Sequence, residues 1–98
     1  MDNIDYAIKF CEVKESKVKT SVLLSMYEVD LPVCARDLAK KFGDADVSQF
    51  STVVRELESI GLIKAVVERM RCKNYVLTGV GTKLCEDLKK LQEWCEHD

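Results

Sequence analysis

The stretch of residues 46–63, DVSQFSTVVRELESIGLI, constrains the fold most, because it predicts a short helix with two unlike faces. Its apolar side chains all lie within about 80° of Phe50 on a helical wheel; they are Phe50, Val53, Val54, Leu57 and Ile60. The opposite half carries small and polar side chains, namely Ser48, Ser51, Thr52, Arg55 and Ser59. Gly61 then predicts a left-handed helix end. The fold must bury the apolar side of this helix, and the hydroxyl-lined side is then left exposed for a function that the rest of the sequence has to indicate.

The residues before this stretch predict three further helices. Apolar spacing predicts a helix over 3–13 and a second one over 16–29 with Ser16 as its cap, although the spacing also allows one long bent helix. Pro32 predicts a break in the helix, and Val33 a very short strand. A short helix over 35–42 follows and ends at Gly43.

The residues after it predict a hairpin and a last helix. Segments rich in β-branched residues predict strands at 62–67 and 73–77, joined by a charged turn. Thr78 predicts the cap of a helix over 79–96, whose apolar stripe is Leu84, Leu88, Leu91 and Cys95. The predicted fold class is therefore mainly α with a small β-hairpin (α+β).

Length and composition predict one folded domain over residues 1–98. The chain has 98 residues, of which 47% are hydrophobic and 33% charged, which suits a single core and not a disordered chain. No apolar run approaches the length of a membrane span, and the start, MDNIDYAIKF, lacks the features of a signal peptide. We therefore expect a cytoplasmic protein without membrane contact.

The net charge of −2 is unevenly distributed along the chain. Residues 1–78 carry 12 basic and 12 acidic side chains, whereas residues 79–98 carry 3 and 5. Within the hairpin, four basic side chains against Glu68 give a local balance of +3; they are Lys64, Arg69, Arg71 and Lys73. The acidic total therefore does not exclude a nucleic-acid partner.

No pattern in the chain predicts catalysis, a cofactor or an effector ligand. The five cysteines are odd in number and irregularly spaced, which argues against a disulfide framework or a zinc ribbon. Cys95 and His97 are two positions apart, which is only a weak indication of a metal site. There is no Gly-rich phosphate loop, and no serine or cysteine has an evident base partner in the sequence. We expect a protein that is not an enzyme.

Three motifs in order resemble those of winged helix-turn-helix proteins. VCARDLAKKFG resembles the helix before the turn, STVVRELESIGLI resembles the recognition helix, and NYVLTGVGTKL resembles the end of the wing. The agreement covers roughly residues 18–84 and is similar to the MarR-like and TrmB-like regulators, many of them archaeal. The resemblance implies a winged-helix core over about 16–78, with the helices at 3–13 and 79–96 added at its ends.

The resemblance implies a transcription regulator that binds double-stranded DNA. The recognition helix, about 47–60, would lie in the major groove with Ser48, Gln49, Ser51, Thr52 and Arg55 toward the duplex. The wing over 64–73 would contact the backbone through Lys64, Arg69, Arg71 and Lys73. Two other interpretations stay open. The polar helix face is also what a solvated surface looks like, and a basic hairpin tip also protects strand edges from aggregation.

The two terminal helices predict a homodimer, which would present two recognition helices to a pseudo-palindromic site. The predicted interface comprises Ile4, Ile8, Leu84, Leu88, Leu91, Trp94 and Cys95. Alternatively, both helices fold back on their own core.

The second functional hypothesis is a winged-helix module for protein–protein contact within a larger assembly, which the acidic end of the chain would suit.

Cys34 departs from the pattern, because serine or threonine usually caps this helix, with Asp37 completing a capping box. A thiol at a helix N-terminus can have a lowered pKa and react with oxidants. Redox sensing at Cys34 is therefore a further hypothesis, although the negative charge of Asp37 would oppose thiolate formation.

Overall fold

The computed structural model describes residues 3–29, 31–42, 47–69 and 72–96, except for the side chains at 47, 67–69, 72 and 94–96. The elements follow in the order α1 (Asn3–Lys14), α2 (Lys17–Val29), α3 (Ala35–Lys41), α4 (Val47–Ser59), β1 (Ile63–Arg69), β2 (Cys72–Leu77) and α5 (Gly79–Glu96). The predicted order and the predicted fold class are confirmed. Within the described part of the chain, no helix combines the length and apolar character needed to cross a membrane.

The joint between α1 and α2 is a real helix boundary. The backbone N–H of Lys19 donates to Ser16 Oγ over 3.2 Å, so Ser16 satisfies one of the free donors at the start of α2. The Thr20 hydroxyl donates back to the Val13 carbonyl over 2.9 Å and ties the two helices together across the joint. The prediction of two helices with Ser16 as cap is confirmed.

The helix pair α3 and α4 packs through side chains that the sequence motif singled out. Leu38 and Ala39 are both buried on the inner side of α3. At the end of α3, the ring of Phe42 stacks on that of Phe50 in α4 at a centroid distance of 5.6 Å. Gly43, the predicted end of α3, lies outside the described residues.

The hairpin gains a third short member from the segment before α3. Strands β1 and β2 pair antiparallel, with Ile63 opposite Leu77 and an irregularity in register between Ala65 and Val67. Val33 and Tyr75 exchange two backbone hydrogen bonds, of 3.1 Å and 2.8 Å, which confirms the very short strand predicted at Val33. Tyr75 is buried, so its ring belongs to the core.

The core collects one face from each of the central elements. Side chains with almost no exposed surface come from α1, α2, α4 and α5, from the turn before β1 and from its first residue; the largest are Leu23, Leu57, Leu62, Ile63, Leu84, Val13, Val22 and Val54. Phe50 and Val53 of α4 are buried as well, so the apolar face predicted for this helix is the face that packs inward. Burial of side chains of this size stabilises the fold by about 1.5–3 kcal/mol each.

The end of α4 is locked to the start of α5. Gly61 adopts a φ of 83°, and its N–H and that of Leu62 close the helix on the carbonyls of Glu58 and Leu57. Thr78 joins this turn to α5, because its hydroxyl donates to the Gly61 carbonyl over 2.7 Å and accepts from the Gly81 N–H over 3.1 Å. The predictions for Gly61 as helix end and Thr78 as cap are confirmed.

Gly81 is required at this joint because the chain passes too close for a side chain. A Cβ added at Gly81 would lie 2.0 Å from the Leu62 carbonyl oxygen, whereas one added at Gly79 would meet nothing within 4 Å.

Gly81→Ala should therefore lower the free energy of unfolding by about 3 kcal/mol, the upper end of the range for overpacking. Gly79→Ala, the matched control, should leave it unchanged or raise it by up to about 1 kcal/mol. Urea denaturation of both variants measures this, and equal changes in the two would contradict the steric argument.

Candidate nucleic-acid interface

The outward face of α4 consists mainly of short polar side chains that project little from the helix. Ser48, Gln49, Thr52 and Arg55 are exposed and Ser51 is half-buried, so the structure brings together all five residues that the sequence placed on this face. The Thr52 hydroxyl donates to the Ser48 carbonyl over 3.1 Å and so stays close to the helix backbone. Arg55 is the long, cationic side chain among the five. Such a face lets a large flat or grooved partner approach the helix backbone closely.

The hairpin places further cations beside this helix, although only part of the predicted set is described. Lys64 on β1 and Lys73 on β2 are both exposed. The register sets Lys64 opposite Val76 near the base of the hairpin, and Lys73 opposite Glu68 nearer its tip. The side chain of Arg69 and the whole of Arg71 lie outside the described residues.

Glu56, the acidic neighbour of Arg55, is held by a partner that sequence spacing did not indicate. Lys19 Nζ of α2 lies 3.1 Å from Glu56 Oε2 and 3.2 Å from Glu12 Oε1 of α1. Burial alone would lower the pKa of Lys19, but its hydrogen bonds with the two carboxylates outweigh this and raise the pKa. The ammonium therefore stays charged at neutral pH and offsets the acidic side chain nearest the front of α4.

The predicted dimer residues of α1 lie on an exposed apolar stripe. Ile4 and Ile8 are 68% and 60% exposed, and Ala7 and Cys11 lie on the same side of the helix and are exposed too. The opposite side of α1 carries Tyr6, Phe10 and Val13, which pack toward the chain's own core. α1 is thus apolar on two sides, and one of them is covered within this chain.

A polar contact fixes α1 against α5. The Tyr6 hydroxyl donates to Asp87 Oδ2, and the ammonium of Lys83 lies 4.4 Å from the centre of the Tyr6 ring. Burial and the hydrogen bond with Asp87 raise the pKa of Tyr6, so the hydroxyl keeps its proton and remains a donor at neutral pH. This contact decides which side of α1 faces outward.

Two residues of α5 that were predicted at the dimer interface are instead part of the core. Leu84 is fully buried and Leu88 is 6% exposed within the single chain, because that side of α5 packs toward α2. The prediction is wrong for these two side chains, since buried groups offer no surface to a partner. Leu91, in contrast, is 36% exposed. The side chains of Trp94 and Cys95, and the whole of His97, lie outside the described residues.

The lowered pKa proposed for Cys34 is contradicted by its surroundings. Cys34 caps α3 and its backbone N–H donates to Asp37 over 3.5 Å, so the capping box exists with a thiol in the place of a hydroxyl. Burial raises the pKa of the Cys34 thiol, and this outweighs the lowering effect of the backbone N–H groups of Asp37 and Arg36; the Asp37 carboxylate raises the pKa as well. The pKa of Cys85, likewise buried, rises to about 12. Cys11 is the exposed thiol among these three.

Thiol labelling should follow this order of burial. A raised pKa means less thiolate at neutral pH, and the thiolate is the species that reacts. Iodoacetamide added to the native protein near neutral pH should therefore modify Cys11, while Cys34 and Cys85 react only after unfolding. Peptide mass spectrometry over time would measure the rates. Labelling of Cys34 at the rate of Cys11 would restore the redox hypothesis.

No metal-binding centre is found among the described residues. No three histidine, cysteine or acidic side chains converge there in an arrangement able to hold a metal ion. The features that do stand out are the polar face of α4, the cationic hairpin and the apolar stripe of α1.

Comparison with solved structures places this geometry among DNA-binding regulators. MepR, a transcription regulator of the Staphylococcus aureus multidrug efflux pump MepA, matches with a TM-score of 0.71 and 28% identity over 80% of this chain. The chain spans 58% of the length of that MepR chain. MepR in complex with DNA matches with a TM-score of 0.74 and 26% identity, covering 93% of this chain and 76% of MepR.

A more distant structure, HlyU from Vibrio cholerae, matches with a TM-score of 0.75 at 16% identity, covering 92% of this chain and 95% of HlyU, and shows the fold alone. No protein-family model and no curated protein matches the chain. The structural neighbours are winged-helix transcription regulators of the MarR type, and this chain has their fold. The predicted resemblance is confirmed, although nothing here supports its archaeal part.

Proposed function

We propose that this protein is a transcription regulator that binds double-stranded DNA as a homodimer, with α4 in the major groove. One observation carries the proposal: α4 buries its four apolar side chains from Phe50 to Leu57 and presents an exposed face of small hydroxyl side chains with one arginine. MepR, whose fold this chain shares, has been solved with DNA bound. Such a regulator would act in the cytoplasm.

The chemistry of the α4 face suits a base-paired duplex. Hydroxyls and the Gln49 amide both donate and accept hydrogen bonds, so they can meet phosphates and base edges alike. Arg55 has the planar donor pair that matches guanine or a phosphate in bidentate fashion. Because the back of α4 is packed in the core, these groups are held on a rigid element, which a specific contact requires.

The cationic hairpin would contact the flanking backbone. Lys64 and Lys73 are exposed on its two strands, and Arg69 and Arg71 would add to them. Phosphate contacts of this kind position a protein on DNA without reading its sequence. This division assigns specificity to α4 and general affinity to the hairpin.

Two substitutions separate these roles. Arg55→Ala should weaken binding to duplexes selected from a random pool by about 1–3 kcal/mol, or roughly 5- to 150-fold, while unselected duplexes lose less. Lys73→Ala should weaken binding to all duplexes alike and reduce the slope of log affinity against log salt by about one. Titrations by fluorescence anisotropy at several salt concentrations measure both effects.

The control is Lys90→Ala, which removes the same charge from the exposed side of α5 and should leave both quantities almost unchanged. Equal and negligible effects of Arg55→Ala and Lys73→Ala would argue instead for the second function, a winged-helix module that contacts another protein. An interface of that kind, if apolar, would also respond little to salt.

The exposed apolar stripe of α1 supports the homodimer. Four side chains at helical spacing, headed by Ile4 and Ile8, leave a continuous apolar strip on the surface, and Leu91 adds an exposed apolar group on α5. A second copy of the same helix covers such a strip symmetrically, since a two-fold axis brings identical patches together. The dimer would give the regulator two recognition helices.

Ile8→Glu should convert the dimer into a monomer, because the glutamate would be buried without a partner in the interface. The matched control is Leu31→Glu, since Leu31 is a large aliphatic side chain of similar exposure, 66%, outside the stripe. Sedimentation velocity at tens of micromolar distinguishes the two states. A monomeric wild-type protein at that concentration would remove the dimer from the proposal.

A further inference from the structure

A half-buried lysine connects three helices behind the proposed DNA-reading face. Lys19 belongs to α2, and its side chain is only 14% exposed. Its ammonium lies between Glu12 of α1 and Glu56 of α4, at 3.2 Å and 3.1 Å. The two carboxylate side chains are 44% and 50% exposed, so the bridge lies at the edge of the core and not within it.

We propose that Lys19 is a positioning residue for DNA binding, which sets the rotation of α4 by holding the flank of that helix at Glu56. The inference rests on the proposed function of α4. Lys19 is too covered to reach a duplex as a phosphate contact of its own. Its effect on binding would pass through Glu56.

The place of Glu56 on the helix makes this contact effective. Glu56 lies between the buried face and the polar face of α4, on the flank opposite that of Arg55. Core packing holds α4 in place, but the hydrophobic effect is non-directional and so defines the rotation of the helix about its own axis less sharply than its position. A charged hydrogen bond on one flank does have a direction and therefore opposes such rotation.

The accuracy with which side chains must be placed against base edges shows why a contact on the flank of α4 matters. Side-chain tips lie about 5–6 Å from a helix axis, so a rotation of about 20° moves them by about 2 Å. A hydrogen bond to a base edge tolerates only a few tenths of an ångström. A rotation that costs the core little would therefore lose the contacts of Arg55 and its neighbours.

The same bridge keeps a negative charge away from the phosphates. A released Glu56 carboxylate would lie one residue from Arg55 and could swing toward the approaching duplex. Held by Lys19, it is both turned toward α1 and α2 and electrostatically compensated. Half-exposed ion pairs stabilise folding only weakly, so the loss of this bridge should be seen in DNA binding more than in unfolding.

A double-mutant cycle tests the inference. Lys19→Gln should lower affinity for the selected duplexes about three- to tenfold, a usual size for coupling between residues in contact. In a Glu56→Gln background, Lys19→Gln should have no further effect beyond that of the control Lys90→Gln. Lys19→Arg, which can still bridge the carboxylates, should restore most of the affinity. An equal effect of Lys19→Gln in both backgrounds, or none in either, would overturn the inference.

Amide hydrogen exchange supplies a readout that does not depend on DNA. Exchange of the amides of α4 should be faster in Lys19→Gln than in wild type or Lys90→Gln, and Lys19→Arg should reverse the change. Circular dichroism confirms that each variant is folded. If the wild-type protein binds no duplex, the proposed function fails. If it binds while both the affinity and the exchange of Lys19→Gln stay at wild-type values, only the role of Lys19 fails.

Discussion

Burial of the apolar face of α4 is the interaction on which the other features of this molecule depend. Phe50, Val54 and Leu57 are buried on this face, which packs against α3, the start of β1 and α2. Because these side chains are buried in the core, the small polar residues on the opposite side of the same helix must face outward. The functional surface is therefore a consequence of core packing, and a rigid one.

The joint after α4 extends this constraint to the rest of the fold. The left-handed Gly61, the Thr78 hydroxyl and the close passage of Gly81 past Leu62 bring the end of α4, the start of β1 and the start of α5 to one point. The hairpin leaves from this point, so its cations have a defined place beside the polar helix. The Val33 bridge secures the other edge of the hairpin.

Charge is organised locally in a chain whose total is slightly acidic. The carboxylate of Glu56 is bound by Lys19, whereas Arg55 and the described lysines of the hairpin, Lys64 and Lys73, are exposed. The acidic excess of the whole chain comes from residues 79–98. A net charge of −2 therefore says little about what this surface can bind.

Periodicity and capping were enough to predict the elements from the sequence, because both depend on residues that are near neighbours along the chain. The helix of residues 47–59, its end at Gly61 and the caps at Ser16 and Thr78 all depend on spacings of three or four residues. The face of α4 that turns outward also followed, since the apolar side chains of one helix identify its buried side.

Contacts between distant residues could not be predicted in this way. The leucines of α5 have the same spacing whether they pack on the core of their own chain or on a second copy of the protein. The structure buries Leu84 and Leu88 in the core of their own chain. Cys34 precedes a helix, a position that can make a thiol reactive, but burial beside Asp37 raises its pKa. The sequence by itself determined the elements and the polarity of each face. Only the tertiary structure decided that Lys19 meets Glu12 and Glu56, because that contact depends on how three helices pack and not on any spacing along one of them.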